Sequence, residues 1–326
     1  MKIKQYTENN LLFTEVRNEN FIVTFCNLGA SIYSIKFFGD EMLMVPKDSK
    51  DYLKDDVYHG KTIGRTPCRF KGNTIKIDRN SYEILANDGE NVLHGGAQGL
   101  SKKLFKTLVK ENAHNTKITF KYNSKDGDGG YPGLLKVKVT YIIPNDFSKL
   151  KVKFEANTNK PTMCALSNHS YFTLGEPTVE NLALKIKGSN YLRLNEEDLT
   201  PIAKEPIFKE LNFLRFKDIG KYLHSKKIEK GKMNGYDYYF YFNEPSKKAQ
   251  VYLRSDRYLL KIKTDFEGVQ TYTDNYADNI EWLNTDQERN RSIALEPMDN
   301  YLDRKVLYPN DKYCRYIEYK FESLTK

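Results

Sequence analysis

Long apolar runs are missing from this 326-residue chain. No stretch approaches the roughly 18 apolar residues that a membrane span requires. The opening MKIKQYTENN has no apolar core behind its basic residues, so neither an anchor nor a secretion signal is expected. Cysteine is scarce: Cys26, Cys68, Cys164 and Cys314 are scattered, with no CxxC pair. That spacing excludes a disulfide framework and a zinc knuckle and fits reduced thiols, so a soluble, cytoplasmic chain is expected. HxH and HExxH spacings are absent too, which argues against a metal-dependent hydrolase built on His94, His169 and Asp237. No repeat of about 20 to 50 residues and no Pro- or Ser-rich linker breaks the chain, so residues 1–326 are expected to form one domain.

Charge is present in excess of one sign, with a formal net charge of +9. Its distribution decides what it means. The lysines recur as single alternate residues, such as Lys136 and Lys138 or Lys151 and Lys153, which is the pattern of solvated strand faces and not of a nucleic-acid stripe.

Periodicity supplies the architecture. In LLKVKVTYII, Val137, Val139, Tyr141 and Ile143 share one face while Lys136, Lys138 and Thr140 share the other, because successive strand side chains point to opposite sides. Val152, Phe154 and Ala156 alternate with charged neighbours in the next run, and FIVTFC, TKITFKY, LALKIKG, AQVYLRS, YLLKIKTD and YIEYKF behave alike. Turn-formers such as KDGDGGYPG and IPNDFSK separate them. Only KDYLKDDVYHG and EPIFKELNFLRFKDIGKYL suggest helix, and both are short or broken. The 24 tyrosines suit large packed faces with polar tips. The fold class is all-β, a large antiparallel β-sandwich with few short helices.

Several segments place chemistry on these strands. In MCALSNHSYFTLG, His169 and Tyr171 fall on one face: a proton donor beside a sugar-binding hydroxyl, or a satisfied core histidine. In NRSIALEPMDN, Ser292, Ala294 and Glu296 share a face opposite Ile293 and Leu295. That pattern is a carboxylate at a cleft floor or an edge-exposed glutamate. His94 precedes two glycines, where the backbone can bend tightly and let a ligand approach. Asp237 interrupts an aromatic strand, and Gln270 and Tyr272 share a face that offers an amide and a hydroxyl.

Taken in order, these segments resemble a known family. GKTIGRTPCRF (60–70), ENVLHGGAQGL (90–100), DGGYPG (128–133), SNHSYFTLG (167–175), YDYYF (236–240), GVQTYTDNY (268–276) and ALEPMDNYLD (294–303) are similar to the blocks of aldose 1-epimerases, and GASIYSIKFFGDEM resembles that family's opening strands. The resemblance spans nearly the whole chain. It implies a galactose mutarotase-like supersandwich with a sugar in an open cleft, acting as an isomerase that interconverts the α and β anomers of a free hexose such as galactose or glucose. By resemblance, His169 is the general acid toward ring oxygen O5, Glu296 the general base toward the C1 hydroxyl, and His94 assists the acid. Arg69, Tyr171, Asp237 and Gln270 would bind the sugar, and Arg65 would serve the structure. No cofactor and no metal are implied. The expected partner is a small sugar, with no nucleic acid and no membrane, and the chain would act as a monomer or homodimer.

Two positions depart from the family pattern. Cys68 stands where an asparagine usually precedes the second arginine, and Met298 stands where many relatives have glutamine. A thiol is a weak hydrogen-bond partner, so a sugar contact is expected to be lost or altered there. The alternatives are a hexose-6-phosphate mutarotase, which needs Arg or Lys clustered at the cleft rim, and a non-catalytic carbohydrate-binding protein on the same fold.

Overall fold

The computed structural model describes residues 1–54, 56–145, 148–244, 248–300 and 302–325. Asp55 in the first helical candidate, Asp146 and Phe147 in the IPNDFSK turn, and Tyr301 in the last family block lie outside the described residues. Antiparallel strands dominate, gathered into three large sheets. A nine-stranded sheet begins with the meander Lys106–Glu111, Asn115–Ser124, Leu135–Pro144 and Lys149–Thr158. The late strand Tyr313–Ser323 comes next and pairs with Lys149–Thr158 on one side and Tyr258–Thr264 on the other. It thereby ties the first half of the chain to the strands Val251–Arg254, Ala183–Ile186 and Lys217–Asp218.

The expected alternation holds where it was read. Val137, Val139, Tyr141 and Ile143 are buried, whereas Lys136 on the opposite face is exposed. Each such side chain contributes on the order of 1.5–3 kcal/mol by leaving water. A six-stranded sheet in the order Tyr171–Phe172, Ile293–Met298, Gly268–Tyr272, Asp237–Tyr241, Asn190–Leu194 and Pro201–Pro206 lays Leu295, Val269 and Phe240 into the same core as Ile262 and Ile317 of the large sheet. The N-terminal five-stranded meander, from Lys2–Glu8 to Asp40–Glu41, joins that core through contacts such as Phe25 on Tyr141, with ring centroids 4.6 Å apart.

The helical candidates resolve into single turns. The first holds a 3₁₀ turn at Ser49–Leu53, and the second a 3₁₀ turn at Lys209–Leu211 and a four-residue α-helix at Gly220–Leu223. Isolated helices this short are not stable by themselves, so they persist as packed connections. Among the described residues, no helix is long and apolar enough to cross a membrane.

Candidate active site

The six-stranded sheet has two buried faces with different tasks. Along Ile293–Met298, Ile293 and Leu295 enter the core, and Ala294 and Glu296 turn the other way. Register then assembles the floor: Glu296 pairs across with Gln270, and Tyr272 pairs with Ala294 on one side and Asp237 on the other. Tyr171 closes the row opposite Ala294. On the neighbouring SNHSYF segment the same alternation divides the polar residues. Asn168 donates to the carbonyl of Gly60 at 2.7 Å and accepts from Ser170 at 2.5 Å inside the protein, whereas His169 and Tyr171 face the cleft.

All seven site residues expected from sequence, His94, His169, Glu296, Arg69, Tyr171, Asp237 and Gln270, line one cleft that encloses about 820 Å³ out to its mouth. This is the size and mixed lining of a small-molecule site. His169 Nε2 lies 3.3 Å from Glu296 Oε1, with both side chains almost wholly buried. The His94 ring stands perpendicular to that of His169, with centroids 5.0 Å apart. The Arg69 Nε–H donates to Asp88 at 2.5 Å, and the Gln270 amide donates to Asp237 at 2.5 Å. Two buried acceptors, Glu296 Oε2 and Gln270 Oε1, have no hydrogen-bond partner among the described residues. Native interiors leave few such groups, and each asks for an explanation. Both oxygens are open to a donor from a molecule bound in the cleft.

Burial sets the electrostatics. It pushes the Glu296 carboxyl well above the usual carboxylate range, with the Asp237 charge adding to the effect. Asp237 itself is pushed up to about 6 by burial, against the opposing pull of Arg69 and the Gln270 amide. His94 is driven well below its ordinary value by burial, then by His169 and Arg69, so it stays neutral near pH 7. Its Nδ1 accepts the backbone N–H of Cys68 at 3.2 Å, which leaves the ring proton on Nε2. His94 is thus a fixed neutral donor. One candidate ligand atom from each of His94, His169 and Glu296 lies within 4.8 Å of the others, a span that an ion can bridge. A metal-bound histidine donates its second ring nitrogen to an acceptor, however, and that nitrogen of His94 is accepting instead.

The glycines after His94 bend the backbone tightly, as expected, with φ of +97° and +82°. A Cβ on Gly95 would lie 2.0 Å from the Gly64 carbonyl oxygen, and one on Gly96 would lie 2.3 Å from that of Leu85. They admit neighbouring backbone and so press the His94 turn against the Arg65–Arg69 segment, where Leu93 pairs with Arg69. Arg65 is buried and donates to the carbonyls of Pro132 and Gly133 and to the hydroxyls of Ser124 and Thr162. The two departures touch each other, with Cys68 Sγ 3.3 Å from Met298 Sδ.

Sequence reasoning missed part of the cleft wall. The Tyr58 ring meets that of His94 edge-on at 4.7 Å, and Leu194 and Leu199 come from a hairpin outside the recognised blocks. Tyr276, 46% exposed, stands at the mouth. Position in the chain gives little warning of Leu194 and Leu199, whereas Tyr58 lies two residues before the first block and Tyr276 ends the block at 268–276.

A β-sandwich whose sheet floors a cleft with an imidazole–carboxylate pair among amide, guanidinium and phenol groups belongs to the galactose mutarotase-like fold class. The crystal structure of galactose 1-epimerase from Lactobacillus acidophilus NCFM superposes with a TM-score of 0.88 at 25% identity, covering 99% of this chain and 98% of that one. The family model for aldose 1-epimerase matches residues 13–320, and the chain belongs to that family. Galactose mutarotase from Sus scrofa is 33% identical over 236 residues, 70% of this chain. The match spans 66% of the pig protein's own length, just under two thirds. Aldose 1-epimerase from Escherichia coli K12 is 26% identical over 332 residues, covering 95% of this chain and 94% of that protein.

Proposed function

We propose that this protein is an aldose 1-epimerase that interconverts the anomers of a free hexose such as galactose or glucose. The observation that carries the reading is the buried His169–Glu296 pair, 3.3 Å apart, beside two acceptor oxygens without protein partners. In the proposed cycle His169 starts protonated and Glu296 ionised. Glu296 takes the proton of the C1 hydroxyl, the C1–O5 bond breaks as C1 becomes a carbonyl, and O5 receives the proton of His169. Rotation about C1–C2 exposes the other carbonyl face. O5 then attacks, returning its proton to His169, while the new C1 hydroxyl takes the proton held by Glu296. Burial raises the carboxyl above its usual range, which makes the carboxylate a stronger base toward the C1 hydroxyl. His94 would donate Nε2–H to a sugar oxygen, and Arg69, Asp237, Gln270 and Tyr171 would hold the remaining hydroxyls.

The charge of the cleft favours a free sugar over a phosphorylated one. Among its described lining residues Arg69 is the single lysine or arginine, against Asp56, Asp237 and Glu296. A hexose phosphate would meet that excess of carboxylates. The names of the relatives, galactose mutarotase and aldose 1-epimerase, agree with the reading. Polarimetry of freshly dissolved α-D-galactose and α-D-glucose with chelator present tests it. Faster relaxation to the equilibrium rotation is expected with at least one sugar. Saturable sugar binding with no acceleration would leave a carbohydrate-binding protein.

A further inference from the structure

Behind the aromatic wall of the cleft lies a second buried charge cluster. Arg291, 2% exposed, sits two residues before the strand that carries Glu296. Its Nε donates to Asp274 Oδ2 at 2.6 Å and its Nη2 to Asp274 Oδ1 at 3.0 Å. Nη2 also donates to Asp278 Oδ2 at 2.8 Å. One guanidinium thus grips two carboxylates, a geometry that a lysine ammonium cannot reproduce. The gripped residues alternate with those of the cleft wall: Asp274 follows Tyr272 by two residues, and Asp278 follows Tyr276 by two. Asp278 Oδ1 also accepts the indole N–H of Trp282 at 3.1 Å. The Trp282 ring packs on His59 with centroids 4.2 Å apart, and His59 stacks on Tyr171 at 4.1 Å.

We infer that Arg291 is a positioning residue for sugar binding, holding the segment of Tyr272 and Tyr276 in place as one wall of the cleft beside the strand of Glu296. The inference rests on the sugar-site reading above. Arg291 does not reach the cleft itself, so it acts through the tyrosines. The His169–Glu296 pair depends on other contacts: the backbone of His169 is tied to Gly60 and Lys61, and Glu296 lies in register with Gln270. Loss of the fork therefore loosens the wall while leaving the proton-transfer pair in place. Binding weakens and the chemical step survives.

The test uses the full chain with Arg291→Ala, Arg291→Lys and Asp278→Asn. Polarimetry gives KM and kcat for galactose and glucose. Emission of the sole tryptophan, Trp282, gives sugar affinity without turnover. For Arg291→Ala, KM is expected to rise on the order of tenfold, with kcat kept within about threefold. Guanidinium at tens of millimolar should restore KM in Arg291→Ala, and Arg291→Lys should resemble the alanine variant. A folded Arg291→Ala with unchanged KM, or with kcat lost in proportion and no response to guanidinium, overturns the inference. Should the Arg291 variants fail to fold, Asp278→Asn decides, because that side chain is 15% exposed and at the margin of the cluster. Raised KM at constant kcat supports the role, and unchanged KM rejects it. If the wild-type chain fails to accelerate mutarotation, the proposed function falls separately, and the Trp282 titration still decides: weaker sugar binding by Asp278→Asn upholds the positioning role, and equal binding removes it.

Discussion

The carboxylates in the loop after the strand Gly268–Tyr272 and the carboxylate on the neighbouring strand Ile293–Met298 are treated in opposite ways. Asp274 has both oxygens paired to Arg291, and Asp278 shares that guanidinium while accepting from Trp282. Glu296 is as buried as Asp274, yet one oxygen lies 3.3 Å from His169 and the other has no partner among the described residues. Leaving a buried acceptor unsatisfied costs about 1–3 kcal/mol, more when it is charged. A fold that completes one cluster and leaves the other open spends stability where a ligand must bind. Around this cleft, the fully paired Asp274 belongs to the architecture, while the spare acceptors of Glu296 and Gln270 face the cavity.

Substitutions at the open cluster should sharpen this contrast. The largest effect is expected for His169→Ala, which removes the proposed acid: kcat should fall on the order of 10²- to 10⁴-fold, with the thermal transition retained in calorimetry. Unfolding, with activity per folded molecule unchanged, would place His169 with the structural group instead. Asp237→Asn should act more mildly and through pH. The folded carboxyl titrates at about 6 against an ordinary value of 3.8, because burial disfavours its charge. A raised carboxyl makes its contribution to stability fully present below the unfolded value and loses it as pH rises through about 6. Wild-type stability should therefore decline across that interval while sugar affinity improves as Asp237 ionises. Asp237→Asn should flatten both curves, as denaturant titrations and KM measured from pH 4.5 to about 7.5 would reveal. The smallest effect belongs to Cys68→Asn. It replaces the sulfur contact with Met298 by a carboxamide and should keep mutarotation while changing the ratio of galactose to glucose turnover. An unchanged ratio would mean that the two departures do not tune the sugar.

Much of the fold was legible because strand alternation is a local signal. Val137 to Ile143 and Val152 to Ala156 declare their faces in sequence, and the structure keeps them. The floor of the cleft was legible for the same reason, since Glu296 and Ala294 oppose Ile293 and Leu295 within six residues. What sequence did not give is whatever depends on distant pairing. The register of Gln270 on Glu296 and the insertion of Tyr313–Ser323 between two halves of the large sheet leave no local trace. The bend at the glycines after His94 was legible, but the backbone that packs against them was not, since Gly64 and Leu85 are distant in sequence. Arg291 and Trp282 went unread because a charge and an aromatic ring in a polar loop look like surface until their partners are known.

The most direct test is Glu296→Gln, measured for mutarotation rate and for Tm on the same preparation. Catalysis is expected to fall by about 10²-fold or more, while Tm stays level or rises by about 2 °C or more, since burial already disfavours the charged carboxyl and the amide of the same shape carries no charge. A marked fall in Tm with activity per folded molecule intact would make Glu296 a structural residue and contradict the account.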